Sequence, residues 1–382
     1  MSAEFKVCII GGGVTGMVIA STLAKAFAES EEHKESKICL IDKNFSGIKR
    51  SVPVALGRLG LPSALHELQA HHEKLYLQAA KDNAKLDYGF VRSGQLLLAP
   101  TINHADQAAQ ILATAAYEEP PVFLETSEKI TARFEHIPEV NSLFGVFVRQ
   151  NGYIHTRTLQ DSLRHQLNQM GVIVWGSDQV TEIMATDGSV VGVKTKDEEV
   201  IADHTIVCSG MGTTHIQQSI GVKMPLRPAR MHVFELSSKE TLFSPLVTIP
   251  EKDSTLYMRP MKSGKYLCAS TSEMAPEQAT DSHHVDSEEV KRVESLIKET
   301  LPTLKHSESS GMGVKTLAIT PDRLPYLGRL PSVSGLYVAL GFEAQSYNLC
   351  FAVGDVLKDL ILDKETACDL TAFNPERFNK AE

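Results

Sequence analysis

The stretch Lys6-Val7-Cys8-Ile9-Ile10-Gly11-Gly12-Gly13-Val14-Thr15-Gly16 decides how this chain is read. Its first five residues form a short apolar run suited to a fully buried strand. The next six fit the pattern G-x-G-x-x-G. Residues 17–27, rich in Ala and Leu, read as helix. After the charged residues 29–37 comes a second buried strand, Ile38-Cys39-Leu40-Ile41, which ends on Asp42. In this order each glycine has a physical role. Gly11 permits a tight turn, Gly13 lets the backbone approach a pyrophosphate, and Gly16 lets the helix pack closely on the strand. The helix N-terminus then turns free N–H groups and a positive dipole end toward the phosphates. Asp42 can accept hydrogen bonds from ribose hydroxyls. It lies further along than the usual ~20 residues, and the polar insert 29–35 absorbs the difference. The fingerprint by itself serves FAD and NAD alike.

Composition sets the outer bounds. A chain of 382 residues suggests two or three lobes and is long enough to bury a sizeable core. With 42% hydrophobic and 22% charged residues it is neither disordered nor fibrous. Asp+Glu outnumber Lys+Arg by 47 to 38, for a net charge of −9, so nucleic acid is not an expected partner. Cysteines 8, 39, 208, 268, 350 and 368 form no C-x-x-C pair, which argues against a metal site or a redox dithiol. The apolar run at residues 7–10 breaks at once on glycine, and no 18-residue apolar stretch follows. No signal peptide or transmembrane segment is therefore expected, and the expected compartment is the cytoplasm.

Downstream, the strand–helix alternation of a nicotinamide dehydrogenase does not continue. Residues 46–60 contain Gly, Pro and Arg and carry Arg50 and Ser51; residues 65–83 read as an amphipathic helix. Phe90-Val91-Arg92-Ser93-Gly94-Gln95-Leu96-Leu97-Leu98-Ala99 reads as a hairpin-like pair of strands. Asn151-Gly152-Tyr153-Ile154-His155-Thr156-Arg157 leads into a helix over 159–170 and a strand, Gly171-Val172-Ile173-Val174. Val180-Thr181-Glu182-Ile183 and residues 190–195 give a small meander, and residues 201–210 run as a strand into Ser209-Gly210. Later come Pro225-Leu226-Arg227-Pro228-Ala229-Arg230, Leu256-Tyr257-Met258-Arg259-Pro260, and Thr320-Pro321-Asp322-Arg323-Leu324-Pro325-Tyr326-Leu327-Gly328. Gly335-Leu336-Tyr337-Val338-Ala339-Leu340-Gly341 and a helix over 352–362 close the chain.

In the order and spacing of these segments the chain resembles the FAD-dependent D-amino acid oxidase/glycine oxidase/sarcosine oxidase family over nearly its whole length. The resemblance implies FAD, held non-covalently because no matching attachment cysteine is evident. It places the cofactor against Gly11, Gly13, Val14, Thr15, Gly16, Asp42, Lys43, Arg50, Ser51, Val180, Ser209 and Gly210, and against Gly341, Phe342, Ser346, Tyr347 and Asn348 near the end of the chain. The fold class is α/β and α+β. A Rossmann-like FAD-binding domain of the glutathione-reductase type is discontinuous over 1–84, 148–222 and 311–382. A mostly antiparallel β-sheet substrate domain takes 85–147 and 223–310, with a helix near 287–299.

What the resemblance implies for function is oxidation of a C–N bond in an amine or amino acid, by hydride transfer to flavin N5, with O2 or a carrier as the final electron acceptor. The expected substrate residues are Tyr257 and Arg259, which alternation puts on one face of a strand, and Lys315. Three positions depart from the family's pattern. Lys315-Thr316 stands where Arg-Pro is frequent, Phe342 where His is frequent, and Ser346 where Gly is usual. An ammonium at Lys315 supplies a point charge but not the bidentate fork of a guanidinium. The alternatives are a flavoenzyme acting on a 2-hydroxy acid or modifying a specialised substrate, and a flavin-binding protein without turnover. His71-His72 and His283-His284 read as solvated surface; His232 enters a substrate-domain strand, where a core or surface histidine is the favoured reading over one that faces the cavity.

Overall fold

Two eight-stranded sheets and one of three strands organise the chain. The computed structural model describes residues 3–45, 55–56, 61–82, 87–114, 121–134, 136–137, 139–237, 244–252, 254–261, 263–273 and 285–379. In the first sheet the strand Ala3–Ile10 lies between Ile38–Ile41 and Glu199–Val207, parallel to both, and Ile173–Trp175 follows on the far side of Ile38–Ile41. Residues 7–10 and Ile38–Ile41 are buried on both faces, which is why these two stretches are apolar without alternation. Val7 and Ile9 pack under the helices Val14–Ala28, Thr156–Gln169 and Ser346–Ile361, while Cys8 and Ile10 face a second core with Val180, Ile183 and Val193.

Glu199–Val207 changes partners along its length. Its first residues pair antiparallel with Ser189–Lys194, and Thr205–Val207 pair parallel with Leu336–Leu340, which brings the end of the chain beside its beginning. The first and last helices then pack so closely that a Cβ on Gly354 would stand 3.0 Å from Thr22 Oγ1.

The second sheet runs in the order Ser309–Ile319, Arg227–Ser237, Lys265–Glu273, Ser254–Pro260, Leu246–Glu251, Gln95–Ala99, Phe144–Val148, Val122–Leu124. It is antiparallel except where Leu246–Glu251 meets Gln95–Ala99. One face carries Phe234, Val247, Leu256 and Met258 under the helix Ser287–Thr300, which Asp286 caps through the Glu288 and Glu289 N–H groups. The other face contributes Met231, Val233, Leu267, Ala269 and Leu317 to the core of the first sheet. This alternation sends Tyr257 and Arg259 away from Leu256 and Met258, toward the nucleotide-binding half.

Four expectations are corrected. Phe90–Val91 and Gln95–Ala99 do not form a hairpin. The first joins Gly152–Ile154 and Ala55–Leu56 in the three-stranded sheet, and the second enters the large one, because Gly94 at φ +74° turns the chain between them. Ser309–Ile319 lies wholly in the second sheet, so the chain returns to the first half near Thr320, later than residue 311. The last helix starts at Ser346 rather than 352. His72 is fully buried, accepting the Phe351 N–H on Nδ1 at 3.2 Å, and His71 Nε2 lies 2.8 Å from Asp355. Neither is solvated surface, because their helix, His66–Asp82, packs lengthwise on the last one. His283 and His284 lie outside the described residues.

Burial drives the His72 imidazole down to about 3, so it stays neutral in the folded chain. An unfolded chain protonates it below about 6.5. Stability therefore falls as pH drops from 6.5 toward 3, by at most about 1.4 kcal/mol per pH unit from this group. In His72→Gln the pH dependence of the urea midpoint between pH 4 and 6 flattens by that one proton. An unchanged slope contradicts a neutral buried imidazole.

Candidate cofactor and substrate site

The helix Val14–Ala28 starts at Gly13 with no side-chain cap and no acid in its first turn. Its first N–H groups have no intrahelical acceptors, and a positive dipole end accumulates there. Gly11 holds φ +114°, and a Cβ on it would stand 2.7 Å from the Cys208 carbonyl oxygen. A Cβ on Gly16 would stand 1.9 Å from the Gly11 carbonyl oxygen. The helix thus rests directly on the turn. At Gly13 nothing among the described residues lies within 4 Å of where a Cβ would be, and the turn is open to them there.

That opening gives onto a trough. One part, of about 350 Å³, is lined by Gly11, Gly13, Val14, Thr15, Ser209 and Gly210 at one end, and by Lys315, Gly341, Phe342, Ser346 and Tyr347 at the other. The second part, of about 710 Å³, is lined by Lys43, Val180, Gln179, Thr214 and Pro228. The two share Gly11, Asp42, Ser209, Met211 and Thr316. Asp42 sits at their junction with its carboxylate held by backbone, accepting from the Gly12 and Asn44 N–H groups at 2.7 Å each. A bent, mixed-polarity trough crossing an uncapped helix N-terminus suits an extended ligand with an anionic middle, which is the shape of FAD. The helix Ser346–Ile361 also starts without a side-chain cap or an acid in its first turn, and its start lines the far end.

Lys315 reaches the trough from the second sheet. Its Nζ lies 5.9 Å from the centroid of the Tyr347 ring, whose hydroxyl accepts from Gln160 at 3.0 Å. Burial, with no carboxylate partner among the described residues, lowers the Lys315 ammonium to about 8. Burial likewise holds the Tyr347 hydroxyl and the Cys208 thiol well above their ordinary ranges, so neither ionises near neutrality.

Tyr257 lines a different cavity of about 270 Å³, with Thr255, Thr271, Arg323, Glu343 and Gln345. This cavity abuts the trough, because Leu317, Gly341, Phe342 and Glu343 line both. Two wall residues hold backbones that favour glycine: Arg323 at φ +60° and Glu343 at φ +51°. Such conformations cost about 1–3 kcal/mol each. The two side chains pair, Arg323 Nη2 to Glu343 Oε2, at 3.0 Å.

Not all of the expected site residues meet. Arg259 is 2% exposed and packs outside the trough, its guanidinium 5.0 Å from the Tyr153 ring centroid. Its Nη1 donates to the Pro260 carbonyl, its Nε has no partner among the described residues, and burial lowers it to about 10. Tyr257 and Arg259 share a strand face but not a cavity. Asn348 turns inward from the last helix and donates to Gln345 Oε1 at 3.1 Å. Arg50 and Ser51 lie outside the described residues. His232 faces the helix Ser287–Thr300, with Asp286 and Glu289 as its acidic neighbours, instead of a cavity. Gln160 and Glu343 join the site without a sequence signal, since each arrives from a helix or turn remote in the chain.

The model of the family "FAD dependent oxidoreductase" (DAO) matches residues 6–360. The chain belongs to this family. It binds FAD as a member of it. Glycine oxidase of Geobacillus kaustophilus is 24% identical over 99% of this chain and 98% of its own length. Human mitochondrial dimethylglycine dehydrogenase is 23% identical over 97% of this chain, which spans only 44% of that enzyme. The crystal structure of G. kaustophilus glycine oxidase superposes with a TM-score of 0.83 at 22% identity, covering 98% of this chain and 99% of the other. No helix among the described residues is long and apolar enough to cross a membrane.

Two substitutions in the turn separate folding from cofactor retention. Gly13→Glu places a carboxylate in the open space beside the helix N-terminus, so the apoprotein melts within a few degrees of the parent while flavin absorbance of the purified protein is lost. Gly16→Ala has no room for its methyl and destabilises the fold itself by about 3 kcal/mol or more, as a forced backbone shift does. Normal flavin content in Gly13→Glu contradicts the placement of the cofactor.

Proposed function

We propose that this chain oxidises the C–N bond of an amine or amino acid, using FAD bound without a covalent link. The observation that carries this reading is the meeting of the nucleotide trough with a polar cavity at Leu317, Gly341, Phe342 and Glu343. A small substrate there lies against the end of the cofactor remote from the pyrophosphate turn. Family membership and the relatives' names, a glycine oxidase and a dimethylglycine dehydrogenase, support a C–N substrate. Cys208, which lines the trough, donates its thiol to the Ile10 and Gly11 carbonyls, which supports a dissociable flavin.

FAD, when bound, supplies the two-electron acceptor. The protein's part is to hold and orient. The first sheet with its helices forms the FAD-binding part, and the second sheet is the substrate part. The Gly11–Gly16 turn receives the pyrophosphate on N–H groups, and Asp42 receives ribose hydroxyls. Lys315 and the start of the helix Ser346–Ile361 set positive charge at the reacting end, where negative charge develops. Tyr257 walls the substrate cavity. Electrons leave to O2 or to a carrier.

The test is anaerobic mixing of the yellow holoprotein with primary, secondary and tertiary amines, amino acids and 2-hydroxy acids. Bleaching of the flavin band by a C–N substrate is expected. Bleaching by 2-hydroxy acids alone overturns the reading. Peroxide on readmitting air then marks an oxidase, and its absence a dehydrogenase.

Lys315 is a cation below about pH 8 and neutral above it. Its charge in the trough is therefore present at neutral pH and disappears as pH rises through 8. The bleaching rate falls through that range, and Lys315→Met removes the limb while lowering the rate at pH 7 by about tenfold or more. A limb that survives in Lys315→Met assigns the titration to another group.

A further inference from the structure

One wall of the cavity that holds Tyr257 is the turn at residues 320–325, from which Arg323 and Pro325 line it. Thr320, at the head of this turn, packs on the junction with the cofactor trough: a Cβ on Gly341 would stand 2.4 Å from its Cγ2. Arg323 holds φ +60°, a conformation that persists in a residue other than glycine only where its surroundings fix it. Inside the turn the Arg323 N–H donates to the Thr320 carbonyl at 3.2 Å, and the Leu324 N–H to Asp322 Oδ1 at 3.1 Å. A second set of contacts comes from the far end of the chain. Arg377 lies in the tail that follows the last helix, between Phe373, buried in the first core, and Phe378, packed against the second. Its guanidinium spreads over both neighbours of Arg323. Nε donates to Asp322 Oδ2 at 2.8 Å and Nη2 to Asp322 Oδ1 at 2.9 Å. Nη2 also donates to the Leu324 carbonyl, and Nη1 to the Pro325 carbonyl at 3.2 Å. The same group lies 4.3 Å from the ring centroid of Tyr326, whose hydroxyl donates to the Pro225 carbonyl at 3.0 Å. The Arg377 side chain is 14% exposed, so these bonds are largely out of water.

We propose that Arg377 is a positioning residue for the substrate cavity, holding the wall turn in its strained conformation by gripping the residues on either side of Arg323. The inference rests on the reading of this cavity as the substrate's. A left-handed residue relaxes by rotating the peptide groups that flank it. Here the carboxylate before Arg323 and the carbonyl after it are tied to one rigid planar group, so that rotation breaks charge-assisted bonds. An ammonium on a flexible stem cannot span a carboxylate and two carbonyls at once. With the clamp removed, strain of the size such positions carry lowers the population of the observed turn by about five- to a hundredfold. Substrate then binds only the fraction of molecules that keep the wall in place. KM rises by the inverse of that fraction, whereas kcat, set after the substrate is seated, stays where it is. Arg377 lines neither the trough nor the cavity, so it acts through the turn and not on the substrate.

The test compares Arg377→Met and Arg377→Lys with the parent as holoproteins, with KM and kcat taken for whichever compound bleaches the flavin. In Arg377→Met, KM rises about tenfold or more while kcat and flavin content stay within about twofold, and Arg377→Lys recovers only part of the loss. Arg323→Gly supplies the control, since glycine adopts the left-handed conformation without strain. Adding Arg377→Met to Arg323→Gly therefore raises KM by less than about twofold, a dependence that a general contribution to stability does not produce. The second readout needs no substrate: the rate of tryptic cleavage at the Arg323–Leu324 bond of the holoprotein, followed by mass. A turn freed from its clamp opens to the protease, so Arg377→Met speeds this cleavage about tenfold or more. A KM that stays unchanged in Arg377→Met, or that rises equally with and without Arg323→Gly, overturns the proposal, and so does an unchanged cleavage rate. If amines and amino acids leave the flavin oxidised while a 2-hydroxy acid bleaches it with this same pattern of KM, the clamp stands and the C–N oxidation reading fails.

Discussion

The approach of the first helix to the first turn is the contact on which the rest depends. With 1.9 Å between a hypothetical Gly16 Cβ and the Gly11 carbonyl oxygen, only hydrogen fits between the helix and the turn. The contact fixes the helix axis against the strand Ala3–Ile10, and so aims its uncapped N-terminus at the trough. The same compression recurs where the Gly11 Cβ position meets the Cys208 carbonyl, at the end of Glu199–Val207. Three chain segments are therefore held by backbone contact around one point.

From there the geometry spreads through one strand. Glu199–Val207 gives its first half to the meander and its last residues to Leu336–Leu340. The exchange brings Gly341 and the turn Glu343–Gln345 back to the trough from more than three hundred residues away. The second sheet meets the same place from the other side, because the face of Ser309–Ile319 that carries Lys315 and Leu317 is turned toward the first sheet. The site is thus a seam, with its cation from one sheet and its helix start from the other.

Reading by pattern worked where local geometry is the cause. Apolar runs without alternation marked strands buried on both faces, and alternation put Leu256 and Met258 opposite Tyr257 and Arg259. It failed where a neighbour in space overrides a local pattern. Phe90–Ala99 looks like a hairpin, yet Gly94 sends its halves to different sheets. The helix His66–Asp82 shows His71-His72 as polar residues, yet the last helix covers one and pairs the other with Asp355.

By itself the sequence determined the nucleotide turn, the family and the class of chemistry, because strand, glycine spacing and helix lie within one local stretch and steric limits on glycine are local. Only the tertiary structure decided which charges meet. Arg259 and Tyr257 are two residues apart and part company, since a shared strand face does not make a shared cavity. Arg323 and Glu343 are joined because two strands fold back between them and set their turns side by side. Charge pairing depends on distance through space, and periodicity along the chain carries no measure of that distance.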